Sequence, residues 1–362
     1  MVDEAQVIMR PRAPLVALMI LNFNGVGWLK ICLPSVAKST YQNVDVYVID
    51  NGSTDGSSEF VKSNYPHIKL VRFTKNLGFA DAYNRAIKDV QADYLLLLNN
   101  DTAVLTPDWI EALVDRAEGS SSIAAVGCKL VTMEDHQRLD SVGGMGIKYW
   151  RGFVDMGKYE TDRGQYDSPP VIPFSTCAAA MLVRRAAFER VGGFDSTFYT
   201  YLEDVDLCWR LRLLGYEIVY EPFAKIAHYF SGTSGRKGID AGKLYLSHRN
   251  LLRAILKNCQ ASLWWALRNY FVFSFLLATG YFVLEPEKAA AIVKAIVWNL
   301  SNLKDTYAQR LSLQARTSKD EKGALNRMYP RVRRYQPPEH TGLRRILDIL
   351  FEYSQSPRTR IE

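Results

Sequence analysis

Cysteine is scarce and poorly placed for bridging: Cys32, Cys128, Cys177, Cys208 and Cys259 are odd in number and far apart in a chain of 362 residues. That argues against a disulfide framework or a paired CxxC zinc site and fits a reducing compartment. Nor is there a continuous run of about 20 apolar residues, the length a bilayer-spanning helix needs. The longest apolar stretch starts at Tyr270, just after Arg268 and Asn269, and extends about 15 residues. The first 14 residues are polar and lack the apolar core of a secretory signal, so the catalytic part is expected to stay in the cytoplasm. No GxGxxG follows the first apolar run, and the glycines at 52 and 56 have a different spacing, which weakens a dehydrogenase reading. The basic residues follow apolar helical patterns rather than an RNA or DNA module, so no nucleic acid partner is expected.

What is present is unevenly charged. The net charge of +7 divides into 23 Lys and Arg against 28 Asp and Glu in residues 1–235, and 22 against 10 in residues 236–362. The first part is therefore acidic by 5 and the second basic by 12. A basic C-terminal third calls for an anionic partner, such as an acidic membrane surface or a polyanionic substrate. Two regions are expected: a catalytic domain over 1–235 and a basic helical region over 236–362.

Residues 15–21, 44–49, 68–72 and 94–98 are apolar runs of strand length, each followed by small polar residues and then by helical periodicity. That alternation is the rhythm of an α/β fold with a mostly parallel sheet. Ligands of such sheets bind outside the carboxyl ends of the strands. The run at 94–98 ends in Asn99, Asn100 and Asp101. A carboxylate at a rigid strand end suits a hard divalent cation, Mg²⁺ or Mn²⁺, held against a diphosphate, although Asn and Asp also favour plain turns. Asp50 at another strand end can accept hydrogen bonds from a nucleobase or ribose, or cap a helix. Residues 132–173 are rich in Gly, Asp, Tyr and Pro with little periodicity, and read as an irregular acceptor or lid region.

Glu203, Asp204 and Asp206 open a helix whose apolar positions suggest burial on more than one face. Acidic residues there suit the helix dipole, and Asp204, near several aromatic residues, is also a candidate general base toward a sugar hydroxyl. Asp206 is expected to cap or pair locally. His228 follows a strand expected over 217–220 and precedes a Gly, Ser and Thr loop at 230–235, an arrangement open to metal or phosphate binding.

In order along residues 14–257, the segments 20–25, 48–56, 76–80 with Asn84, 95–101, 192–195, 202–207 and His228 resemble a family 2 glycosyltransferase of GT-A fold, in its rhamnosyltransferase-like branch. The resemblance implies that Asn22, Asn24 and Asp50 hold the nucleotide of a nucleoside diphosphate sugar, with Gly78, Phe79 and Asn84 near its ribose or phosphate. It sets Asn99, Asn100 and Asp101 where the family often carries Asp-x-Asp; the first carboxylate is replaced by Asn99. It implies that Asp101 and His228 hold the metal, and that Asp204 is the base of an inverting displacement, with Glu203 as the fallback. A sugar-nucleotidyltransferase would need a first loop rich in Gly, Arg and Lys, which residues 22–27 lack. A non-catalytic, membrane-bound glycan-binding module would tolerate loss of Asp204.

In the C-terminal region, Arg249, Arg253 and Lys257 recur at every fourth residue of a predicted helix over 243–257. This basic stripe is expected either to face solvent or to meet a diphosphate or acidic lipid. Residues 263–284 carry Trp264, Trp265, Phe271, Phe275 and Phe282 and read as a helix lying in a membrane interface, or as a homo-oligomer surface. A second helix is expected over 286–303, followed from Lys304 by a basic tail with Arg331, Arg333, Arg334, Arg344 and Arg345. The expectation is an enzyme at the inner face of the cell membrane, acting on a glycan or lipid-linked glycan.

Overall fold

The computed structural model describes residues 13–146, 153–168, 170–229, 240–260 and 263–317. The loop at 230–235 and the arginines from 331 onward lie outside these residues. The fold begins with β1 (Val16–Asn22), α1 (Val26–Val36), β2 (Val44–Asp50), α2 (Ser57–Asn64), β3 (Lys69–Arg72), α3 (Gly78–Ile87) and β4 (Tyr94–Asn99). The strands β3, β2, β1 and β4 lie side by side in that order, all parallel. Parallel strands covered on both faces read as unbroken apolar runs, and alternate residues of β1 and β4 serve different faces. Val16, Leu18, Ile20, Leu96 and Leu98 pack with α1 and with α4 (Trp109–Glu118). Ala17, Met19, Leu95 and Leu97 pack on the other face with α3, with α5 (Arg185–Val191) and with α6 (Glu203–Leu213). The four leucines of β4 are fully buried, so each truncation to Ala would cost about 2–5 kcal/mol.

The sheet continues from β4 through β10 (Ala180–Arg184), β6 (Ile123–Thr132) and β11 (Glu217–His228) to β5 (Thr102–Val104). In this half β10 and β5 run against the rest, whereas β6 and β11 are parallel. The mostly parallel sheet is therefore mixed. The region expected to be irregular contains short strands: β7 (Leu139–Ser141) pairs with β6, and β8 (Gly144–Gly146) pairs with β9 (Phe153–Asp155).

Among the described residues four helices follow: α7 (Ala241–Asn258), α8 (Leu263–Leu284), α9 (Pro286–Ser301) and α10 (Leu303–Gln314). The last is a correction, since the chain from Lys304 was read as tail. Helix α6 is buried on both sides, with Leu207 and Leu211 in the sheet core and Val205, Trp209 and Leu213 in a cluster shared with Leu251, Leu252 and Ile255 of α7 and Tyr270 of α8. Helices α7, α8 and α10 thus share a hydrophobic core with α6.

The basic stripe of α7 is a second correction. Arg249, Arg253 and Lys257 are all buried and turn toward the catalytic domain. Arg253 Nε and Lys257 Nζ lie 2.9 and 2.7 Å from Asp195 Oδ2, and Lys257 Nζ lies 2.9 Å from Asp206 Oδ1. Asp206 also pairs locally, through Arg210 Nε at 2.8 Å. Removing one member would leave an uncompensated buried charge, at a cost of about 3–5 kcal/mol.

Candidate active site

Because β1, β2 and β4 are parallel and in register, Asn22 stands opposite Asp50, and Leu21 opposite Asn99. The polar residues ending these strands therefore share one edge. The Asn22 side chain accepts from Asn100 Nδ2 at 2.7 Å and donates to Ser53 Oγ at 3.2 Å. Asn24, in the left-handed region at φ 46°, accepts from the Thr54 N–H at 2.8 Å. Asp50 is fully buried: Oδ1 accepts from the Ser53 N–H at 3.0 Å, Oδ2 from the Ser58 hydroxyl, and Arg72 lies 3.7 Å away. Its carboxylate holds the turn after β2.

Asn51, which no sequence pattern singled out, fastens the neighbouring loop. It donates to Asn76 Oδ1 and the Gly78 carbonyl, both at 3.0 Å, and accepts from the Leu77 N–H at 2.9 Å. Gly52 makes this approach possible: at φ 83°, an added Cβ would stand 2.6 Å from the Lys75 carbonyl carbon. At Gly78, φ 78°, a Cβ would meet the Tyr199 ring at 2.4 Å. Phe79 packs on Tyr83 and Phe194, with ring centroids 4.7 and 5.7 Å away, and its N–H donates to the Tyr199 carbonyl at 2.6 Å. Asn84 lies further along α3. Its amide donates to the Phe194 carbonyl at 2.8 Å and accepts from the Phe194 N–H at 2.9 Å, so it braces the turn before α6.

Asn99 is half-buried at the end of β4, without a side-chain hydrogen bond among the described residues. Asp101 follows in the turn to β5, which pairs with β11 so that Thr102 stands opposite His228. This pairing carries Asp101 to the end of β11, where His228 Nε2 lies 3.6 Å from Asp101 Oδ1. His228 Nδ1 is 2.7 Å from Asp140 Oδ2, and Lys158 Nζ is 3.2 Å from Asp140 Oδ1. Burial works to lower the His228 pKa, but the hydrogen bond and charge of Asp140, with Asp101, outweigh it and raise the pKa. Burial works to raise Asp140, but Lys158 and His228 bring it down to about 2. Asp140, missed in a segment without periodicity, is thus the ionised partner that orients the imidazole, as carboxylates do behind metal-bound histidines. Among the described residues no cluster of three His, Cys, Asp or Glu is suited to a metal. A divalent metal held by Asp101 and His228 would therefore need a diphosphate and water to complete its coordination, as is common for Mg²⁺.

The approach to α6 is strained. Tyr199, at φ 63° and ψ −67°, centres a γ-turn of the rarer hand, closed by Thr200 N–H to the Phe198 carbonyl at 2.7 Å. Tyr201 and Leu202 follow at φ 71° and 65°. Each such non-glycine residue costs about 1–3 kcal/mol and persists only where its surroundings hold it. Just beyond, Asp204 is half-buried; Oδ2 accepts from the Ala178 N–H at 3.1 Å and Oδ1 from the Val205 N–H at 2.7 Å. Burial pushes its pKa up to about 6. Glu203 is buried, with Oε2 lacking a hydrogen-bond partner among the described residues. Burial first, then the Asp204 charge, hold its carboxyl well above the usual range. Of the two carboxylates, Asp204 is the one both oriented by backbone N–H groups and more open.

The description "Glycosyl transferase family 2" belongs to a family model that matches residues 18–192. The chain is 30% identical over 264 residues to the N-acetylglucosaminyl-diphospho-decaprenol L-rhamnosyltransferase of Mycobacterium tuberculosis, covering 66% of this chain and 84% of that relative. It is similar to the mannosyltransferase PcManGT from Pyrobaculum calidifontis, solved with GDP-Man and Mn²⁺, at a TM-score of 0.52 and 16% identity over 80% of this chain and 88% of that one. GalNAc-T7, solved with UDP, GalNAc and Mn²⁺, aligns at a TM-score of 0.57 and 12% identity over 81% of this chain and 58% of the other. At these identities the solved structures speak for the fold alone. Sheet order, strand-end polar residues and sequence relatives converge: the chain belongs to glycosyl transferase family 2 and is a glycosyltransferase of GT-A fold, with a rhamnosyltransferase among its relatives.

Proposed function

We propose that this enzyme transfers a sugar, rhamnose in the reading we favour, from a nucleoside diphosphate to a hydroxyl of a lipid-linked glycan, with inversion at the anomeric carbon. The observation that carries the reading is Asp204, a carboxylate oriented by the Ala178 N–H and raised to about 6, suited to act as a base near neutral pH. Asp204 takes the proton of the acceptor hydroxyl as the oxygen bonds to the anomeric carbon and the bond to the diphosphate breaks. The donor lies along the edge made by Asn22, Asn24, Asn99 and Asn100, while Asp50, Asn51, Gly78, Phe79 and Asn84 shape its walls. Asp101 and His228 would hold a divalent metal, Mg²⁺ or Mn²⁺, with Asp140 fixing the imidazole. When bound, such a metal neutralises charge developing on the departing diphosphate.

The acceptor class is supported by the decaprenol-linked glycan in the M. tuberculosis relative's name and by the outer face of the C-terminal helices. Helix α8 is long and apolar enough to cross a membrane by length and composition. One side packs through Ala266, Tyr270, Ser274, Leu277 and Tyr281, whereas Trp264, Phe275 and Phe282 are 84%, 68% and 73% exposed. The Thr279 hydroxyl is satisfied within the helix, by the Phe275 and Leu276 carbonyls at 3.1 and 2.9 Å. Tryptophans at one end, the nearby cation Arg268 and an internally bonded hydroxyl fit a helix lying in the interface of an anionic cytoplasmic membrane.

The test incubates purified protein with deoxythymidine diphosphate rhamnose, a short polyprenyl diphosphate N-acetylglucosamine and Mn²⁺ or Mg²⁺, and reads product configuration by NMR. Inverted product is expected. Retention of configuration would overturn the mechanism, and transfer from other nucleotide sugars alone would replace the donor. Sedimentation with anionic phospholipid vesicles should fall when Phe275 and Phe282 are changed to Glu. A dimer dissociated by the same changes, with no vesicle binding in the parent, would instead make this face a contact between copies.

A further inference from the structure

The strained segment before the base is held from both sides. On the donor side, the Tyr199 carbonyl accepts from the Phe79 N–H at 2.6 Å. On the other side, Asn250 of α7 is fully buried, with Nδ2 within 2.9, 2.9 and 2.7 Å of the Phe198, Thr200 and Tyr201 carbonyls. Arg249 Nη2 donates to the Thr197 and Phe198 carbonyls at 2.7 and 2.8 Å, while its Nε donates to Asn250 Oδ1 at 2.9 Å and so fixes which way the amide faces. Arg249 is itself held over the Trp298 ring of α9, 4.7 Å from the centroid. The carbonyls of Thr197, Phe198, Thr200 and Tyr201 thus converge on one amide and one guanidinium.

We propose that Asn250, oriented by Arg249, is a positioning residue for transfer: it holds residues 198–202, of which Tyr199, Tyr201 and Leu202 are at positive φ, and thereby sets where α6 presents Asp204. Without this clamp the segment can relax toward ordinary backbone angles, because the strain in Tyr199, Tyr201 and Leu202 favours release. Helix α6 begins at the very next residue, so the relaxation displaces the base rather than the donor. The same segment carries Tyr199, whose carbonyl meets the donor-side loop. Helix α7 therefore lies behind the meeting point of donor and acceptor sides. This inference rests on the reading of Asp204 as the base.

The test measures kcat, the KM for acceptor and calorimetric donor binding for wild type, Asn250→Ala, Asn250→Ser and Asp204→Asn, using deoxythymidine diphosphate rhamnose and the short polyprenyl acceptor. Asn250→Ala is expected to lower kcat about 30- to 100-fold, the scale of an ångström-sized misplacement, with donor affinity within twofold of wild type. Asn250→Ser retains one donor and should fall between the two, which keeps the test alive if the alanine variant does not fold. Adding Leu202→Gly to Asn250→Ala should restore kcat by about tenfold, since glycine adopts positive φ freely. A purely packing role predicts otherwise: kcat and donor binding fall in step with the folded fraction, and Leu202→Gly gives no rescue. That pattern, or wild-type kcat in both Asn250 variants, overturns the inference. If Asp204→Asn transfers normally, the reading of the base fails instead, independently of Asn250.

Discussion

The proposed donor side and base side of the strand-end edge are built from different materials. On the donor side, Asn22, Asn51 and Asn100 meet one another, a hydroxyl or backbone, and the tight approaches are made at glycines, as at Gly52 against Lys75. On the base side, positive φ falls on Tyr199, Tyr201 and Leu202, the segment's carbonyls are held by the buried Arg249 and Asn250 of α7, and Arg253 and Lys257 of the same helix pair with the buried Asp195 and Asp206. Neutral amides on a register of parallel strands need little support, because the sheet fixes their positions. A strained segment needs continuous restraint, and here much of it comes from a helix beyond the residues matched by the family model. The donor half is therefore expected to be tolerant in its side chains and intolerant at its glycines, and the base half the reverse.

That contrast can be broken in four ways, from largest effect to smallest. Asp204→Asn should reduce kcat about 10²- to 10⁴-fold, the usual weight of a general base, with calorimetric donor affinity unchanged. Loss of donor binding in that variant would move Asp204 into the donor half. Asp140→Asn should weaken Mn²⁺ binding in the presence of nucleoside diphosphate about 10- to 100-fold, as read by titration; equal affinity would detach Asp140 from the His228 site. Gly52→Ala should destabilise the protein by about 1–3 kcal/mol in urea, since the new Cβ meets the backbone of Lys75. Finally, kcat should fall about tenfold per pH unit as pH drops through about 6. The sign follows from a base that works ionised and a carboxyl that burial has raised. A rate that is flat from pH 7 to pH 5 would remove Asp204 from the proton transfer.

Much of the donor half was legible in the sequence. The leucines from 95 to 98 leave no polar residue to face water, so a strand buried on both faces follows, and the polar triplet after it has to lie at the strand end. Burial of α6 on two faces was legible for the same reason. The stripe of Arg249, Arg253 and Lys257 misled because an i, i+4 pattern says which residues share a side, and a solvated side reads the same as one facing Asp195 and Asp206. Asp140 escaped because β7 is three residues long, too short for any period to register. Helix α10 escaped because its apolar residues mark no clear face. Asn84 was assigned by resemblance to the donor, although its partner, the Phe194 backbone, stands 110 residues away, a separation that only the tertiary structure closes.

The order in which the ribosome delivers these parts has a consequence. All the donor-edge residues precede Asp204, but the amide that clamps the base's segment arrives only with residue 250. Domains fold as they emerge, N-terminal portions first, so the nascent chain acquires its nucleotide edge well before it can hold its base in place. Translation products released before Ala241 are expected to lack transfer, as an assay of stalled chains would reveal. On the proposed roles of Asp204 and Asn250, chemistry is withheld until the helices with the exposed aromatic face are being made.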